Sequence, residues 1–239
     1  MVCMFHGYTT AHIANILLHI LGGTVALAAG LLALVTRKGG RLHIRAGRTF
    51  IYGYVLIVIT AILGIVVFEF RSFLAVATIA SAYDVFAGYR ALRLRGRRPQ
   101  AQDIVASALA FMAPGIFLFA MHVLHKPWSP ALTWSVLGGI LALSTYDLAR
   151  LWLPLRFLQR AWLHEHLYKM LAAYIAITAT AGATIFPHFQ PWSALIPVIL
   201  GETATIGFLL FTPLPRLPAT KSSQNSNTET ISNPTSSPV

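Results

Sequence analysis

Charge is what this sequence has least of. Only 10% of its 239 residues are Asp, Glu, Lys or Arg, where a water-soluble domain carries about a quarter. Acids are scarcest, seven against eighteen Lys and Arg, for a net charge of +11. So few ionic groups cannot clothe a globule in water, and an ordinary soluble domain is excluded. Cysteine is nearly absent as well. Cys3 stands alone, which excludes an internal disulfide, a CxxC redox pair and a cysteine-built metal centre. Several motifs are also missing. There is no phosphate-binding glycine loop, no H-E-x-x-H pattern and no nucleophile elbow, and the spacing of His164, Glu165 and His166 is wrong for a zinc-protease helix. The N-terminus shows neither a positive leader nor a cleavage site, so no signal peptide is expected. The basic residues are not interleaved with aromatics on one surface, and no nucleic-acid partner is expected.

What fills the chain is apolar: 56% hydrophobic residues and a mean hydropathy of +0.67. They come in blocks near twenty residues, the length that crosses a hydrocarbon core as a helix. Open strands cannot satisfy their backbone in lipid, so helices are the expectation. Seven spans are predicted, over 11–36, 50–70, 72–92, 104–125, 130–151, 167–186 and 192–211. The fold class is an all-α polytopic membrane bundle, 1–212, followed by a Ser/Thr/Asn/Pro-rich disordered cytoplasmic tail, 213–239.

Charge placement sets the orientation. With the N-terminus outside, sixteen of the eighteen bases fall on inner connections or at their helix ends, and only Arg71 and Lys126 on outer ones. That bias follows the positive-inside rule and predicts an N-out, C-in membrane protein. The inner bases are expected to meet anionic lipid head groups. The densest group is 37–48, where Arg37, Lys38, Arg41, Arg45 and Arg48 surround His43 and three glycines. Gly39, Gly40 and Gly47 would permit a tight turn, with exposed amides beside arginines for an anion. The connection 152–166 mixes leucine, aromatics and arginine, and predicts a short helix lying in the head-group plane.

A weak internal repeat accompanies this pattern. Ser81-Ala82-Tyr83-Asp84 recurs as Ser144-Thr145-Tyr146-Asp147, and Pro127-Trp128-Ser129 as Pro191-Trp192-Ser193. A duplicated helical hairpin would give these offsets.

Polar groups inside spans are costly and mark candidate sites. His12 and His19 lie seven residues apart, almost two turns, and share a face of the first helix. His122 closes the fourth helix at similar depth to His12. Imidazoles facing one another from two helices could ligate a b-type haem or a transition metal. His125, His6 and His188 read as interfacial. Of the acids, Asp147 stands three residues before Arg150, an (i, i+3) ion pair. Glu202 has no such neighbour, and it and Asp84 are candidates for proton or cation handling. His19 is a candidate partner for Glu202.

The pattern Lys38-Gly39-x-x-x-His43-x-x-x-Gly47-Arg48 resembles the mark of an uncharacterised family of bacterial multi-pass membrane proteins. His19-Ile20-Leu21-Gly22-Gly23 resembles the segment before that mark, and His166-Leu167-Tyr168-Lys169-Met170 a later helix start of the form H-x-x-W-M. The resemblance covers the first two helices and the sixth. It departs at Lys169, which replaces the tryptophan, and near Tyr52–Val55, where a methionine is expected. No activity comes with it. It implies that His19, His43 and His166 are the histidines to test first. Three function classes follow from the sequence: a haem- or metal-binding redox protein, a proton- or cation-coupled transporter, and a membrane scaffold.

Overall fold

The computed structural model describes residues 9–68, 70, 72–125 and 136–214. Among them there are seven α-helices and no strand: α1 (Thr10–Val35), α2 (Arg41–Leu63), α3 (Ser72–Leu94), α4 (Ala101–Val123), α5 (Gly138–Ala149), α6 (Leu155–Ile185) and α7 (Trp192–Phe211). A π-helical stretch, Gly64–Phe68, prolongs α2. Expectations for Cys3, His6, Arg71, Lys126, Trp128 and most of the C-terminal tail lie outside the described residues.

Four helices are long and apolar enough to cross a membrane: α1, α2 with its extension, α4 and α7. Two others, α3 and α6, have the length, 23 and 31 residues, but carry charges within it, among them Asp84 and Arg90 in α3 and Glu165 and Lys169 in α6. The outside differs from that of a soluble protein, with large apolar side chains exposed along most of the helices. Buried positions include Ala26, Ala29, Ser81, Ser144, Asp147 and Lys169, while Leu17, Leu21, Ile116, Leu200 and Leu210 are exposed. Small residues let helices approach and apolar ones face outward, as lipid solvent favours.

Two helix pairs and one hub organise the bundle. Helix α1 lies along α2; α4 pairs with α5; α6 packs on α3, α7 and α1. The first pair is closest where glycines meet. A methyl on Gly53 would stand 3.0 Å from the Gly22 carbonyl oxygen and 3.0 Å from the Ala26 nitrogen.

The basic connection is shorter than the charge pattern suggests. Helix α2 begins at Arg41 with Gly40 as its N-cap, so Arg41, Arg45, Gly47 and Arg48 are helical. Of the three glycines only Gly39 turns through positive φ, at 75°. Gly47 is therefore no part of a turn, which corrects the expectation of a three-glycine loop.

The region 152–166 also differs. No separate in-plane helix forms: from Leu155 onward it is the first part of α6. Pro154 starts that helix, and neither glycine nor proline interrupts it before Gly182. At 1.5 Å per residue its 31 residues measure roughly 46 Å, more than the ~30 Å hydrocarbon core.

Candidate functional site

A chain of buried polar side chains joins α3, α5 and α6. It starts from the recurring Ser-x-Tyr-Asp segments. Ser81 and Ser144 each turn their hydroxyls back to the carbonyl four residues earlier, Ala77 at 2.5 Å and Ile140 at 2.7 Å. That leaves the tyrosines of both segments and Asp147 to reach across helices. Tyr83 donates to Asp147 Oδ2 at 2.7 Å and lies 3.0 Å from the Ser107 hydroxyl of α4. Tyr146 donates to Glu165 Oε1 at 2.7 Å.

Two cations complete the network. Lys169 Nζ donates to Asp147 Oδ1 at 2.5 Å. Arg150 lies between the two acids, with Nη1 3.6 Å from Asp147 Oδ1 and Nη2 3.3 Å from Glu165 Oε2. The side chains of Asp147, Arg150, Glu165 and Lys169 are all at most 5% exposed. Buried charges persist only when paired and hydrogen-bonded, and here each has a partner on another helix. Asp84, one turn below Ser81, is within electrostatic reach of Lys169 and Asp147.

A second ion pair stands at the α3–α4 turn. Arg90 grips Asp103 through Nε at 2.5 Å and Nη2 at 2.8 Å, while the Gln100 N–H donates to the same carboxylate at 2.8 Å. Between this pair and Asp147–Arg150 is a cavity of about 10 Å³, close to the least that holds one water. A much larger cleft, about 400 Å³, opens between α5, α6 and α7, with Tyr146, His164, Glu165, Tyr168 and Lys169 on its wall.

The candidate histidines take separate places. His19 Nδ1 is 2.9 Å from Thr60 Oγ1. The Thr60 hydroxyl gives its proton to Leu56 O at 2.7 Å, so the histidine is the donor and its Nε2 keeps the lone pair. His12 stacks on Phe68 at 4.2 Å. His122 is exposed at the end of α4, whose packing partners are α3 and α5. Among the described residues, no three His, Cys, Asp or Glu side chains group to hold a metal ion.

Three further histidines cap backbone. His43 Nδ1 donates to Ala33 O at 3.0 Å, and Lys38 Nζ reaches the same oxygen at 3.2 Å and Leu34 O at 2.5 Å. These are free carbonyls at the C-terminus of α1, which cations and N–H donors stabilise. His166 Nδ1 donates to Gly88 O at 2.9 Å and lies within electrostatic reach of His43. His164 turns the other way, its Nε2 donating to Thr212 O at 3.1 Å.

Glu202 does not meet His19: it is exposed on α7, within electrostatic reach of Tyr168. The (i, i+3) pairing of Asp147 with Arg150 is present, but it is the longer of two contacts, and Lys169 holds that carboxylate more closely. Reading by local spacing missed Lys169 and Glu165, since their partners lie 22 and 19 residues away. The available signal was the repeated Tyr-Asp pair together with a lysine inside an otherwise apolar run.

No family model, curated protein or solved structure matches this chain.

Proposed function

We propose that this chain is a seven-span protein of a bacterial cytoplasmic membrane, N-terminus outside and C-terminus inside, that carries a small solute in exchange for, or together with, protons or cations. One observation carries the reading: a buried network of acids and bases, Asp147, Lys169, Arg150 and Glu165, reaches a cleft of about 400 Å³ through two of its members, Glu165 and Lys169. Ionisable groups kept inside a bundle mark substrate, ion and proton paths. The chemistry is competition. Lys169 and Arg150 share Asp147, so a proton or cation arriving at Asp147 or Glu165 displaces a base and loosens the tie between α5 and α6. Asp84, within electrostatic reach of Lys169, is the competing acid. The sixteen-to-two distribution of bases supports the orientation, and the turn around Lys38 and His43 supports placing the chain with the multi-pass family it resembles.

The test is flux in proteoliposomes containing a pH-sensitive dye, with candidate solutes added outside. Solute-dependent proton movement, abolished in Asp147→Asn and Asp84→Asn proteins that remain monodisperse, is the expected result. Flux unchanged by both substitutions, and by Glu202→Gln, would overturn the mechanism.

A second reading has its own support. His43 and His166 each donate Nδ1–H to a backbone carbonyl, the arrangement that orients a metal-ligating imidazole and leaves Nε2 free. A haem or transition metal bound there would supply redox chemistry. A visible spectrum and metal analysis of protein produced with haem precursor decide it: a Soret band or stoichiometric metal, lost in His166→Ala, supports the redox reading.

A further inference from the structure

A carrier coupled to protons must let them reach its buried carboxylates. Resting on that reading, we infer that a water molecule binds in the small cavity between α3, α4 and α5, and that it feeds protons to Asp147 through the hydroxyls of Ser107 and Tyr83.

The cavity measures about 10 Å³, room for one water and little else. Six residues on its wall carry hydrogen-bonding side chains: Tyr83 and Arg90 of α3, Asp103 and Ser107 of α4, and Asp147 and Arg150 at the end of α5. Their tips converge. Tyr83 Oη joins Ser107 and Asp147, Arg90 joins Asp103, and Arg150 stands 3.6 Å from Asp147. Two arginines and two aspartates give this wall no net charge, so it favours a neutral dipole over an anion or a cation. The wall supplies both donors and acceptors, as a bound water requires.

The hydroxyls run in one direction. Tyr83 has a single proton, and the Asp147 carboxylate at 2.7 Å takes it in preference to the Ser107 hydroxyl at 3.0 Å. Ser107 is therefore the donor to Tyr83, and its oxygen is left to accept from the cavity. An excess proton reaching the water then moves by hops. The water gives a proton to Ser107 Oγ, Ser107 gives its own to Tyr83 Oη, and Tyr83 gives its own to Asp147 Oδ2. The water and both hydroxyls end neutral, and Asp147 ends as the uncharged acid.

The wall runs from wet to dry. Side-chain exposure is 14% for Arg90 and 9% for Asp103, but 4% for Asp147 and Arg150. Beyond Arg90 the α3–α4 connection exposes Arg93, Arg95, Arg97 and Arg98, a hydrated end of the bundle and the inner one in the proposed orientation. Asp147 also faces Lys169 of α6 and Arg150 of its own helix, with Asp84 of α3 within electrostatic reach. A proton arriving through Tyr83 thus competes with both bases. The cleft meets the same network on the α6 side, at Lys169 and Glu165, so proton and solute have separate approaches to it.

X-ray hydroxyl-radical labelling of the full-length protein in detergent, read by mass spectrometry, marks side chains beside bound water. Tyr83 should be modified several-fold faster than Phe117, which is as exposed, 8% against 7%, but does not line the cavity. Proton uptake after a downward pH jump, followed with a soluble dye, tests the relay. The kinetic phase missing in Asp147→Asn belongs to Asp147. It should slow at least about tenfold in Ser107→Ala and recover in Ser107→Thr, which restores the hydroxyl. Tyr83 labelled no faster than Phe117 overturns the water site. An Asp147 phase of unchanged rate in Ser107→Ala, or no such phase, overturns the relay. Both readouts need no solute. A water-fed Asp147 in a protein that moves no solute with protons would refute the carrier and leave the relay. Coupled flux at full rate in Ser107→Ala would refute the relay and leave the carrier.

Discussion

Lys169 and Asp147 meet across two helices with Nζ 2.5 Å from Oδ1, their side chains 1% and 4% exposed. Removing one partner strands the other in a place with little water. Lys169→Met is expected to destabilise the protein by about 3–5 kcal/mol, seen as a lowered thermal midpoint in detergent. Lys169→Met combined with Asp147→Asn should recover more than about 1 kcal/mol of that loss, as a double-mutant cycle measures. Additive losses would mean that the contact contributes nothing of its own.

Tyr146 holds Glu165 in place from α5. Tyr146→Phe removes a hydrogen bond to a charged group, worth about 1.5–3 kcal/mol, and frees Glu165 Oε1. Thermal unfolding should show the loss in stability.

The α1–α2 crossing depends on Gly53. Its Cβ position is 3.0 Å from backbone atoms of α1, which cannot swing aside as a side chain can. Gly53→Val should cost about 1–3 kcal/mol through overpacking. Gly23, one position along α1 from Gly22, meets nothing within 4 Å, and Gly23→Ala should change stability by less than about 0.5 kcal/mol. Similar unfolding curves for the two variants would argue against a close crossing.

Orientation is open to chemical labelling. In a Cys3→Ser background, a cysteine at His188 should react with a membrane-impermeant maleimide added to intact cells. A cysteine at Arg45 should react only after the membrane is opened. The reverse pattern would invert the proposed topology.

Helix positions were largely legible because bilayer-length apolar runs are a coarse, robust signal. The bounds of α1, α3 and α7 fall within two residues of expectation. What stayed hidden was continuity. The stretch before Leu167 is polar enough to look like a separate interfacial segment, yet nothing in it breaks helical hydrogen bonding, and it runs on into α6. The candidate site was legible only in fragments. Asp84, Asp147 and Arg150 stood out as charges inside spans, but spacing along one helix can pair only neighbours on that helix. Lys169 looked like a departure from a motif, and its partner on α5 emerges only once α5 and α6 are side by side. Lys38 and His43 drew attention as members of a recurring pattern. The structure gives them a plain task, since both end on the carbonyl of Ala33.

The way α5 is attached has a mechanical consequence. Its extensive packing is with α4, and it reaches α6 through Asp147, Tyr146 and Arg150. Interlocked apolar surfaces resist parting at every point, but a seam of polar tips behaves as a latch: a proton added to one carboxylate undoes several ties together. The same proton leaves the apolar clusters that hold α4 and α5 to α3 intact, Val76 with Phe117, Met121 and Leu137 and Tyr83 with Ala87, Ala110 and Ile140, so the seam to α6 is the part of the bundle that charge alone can loosen.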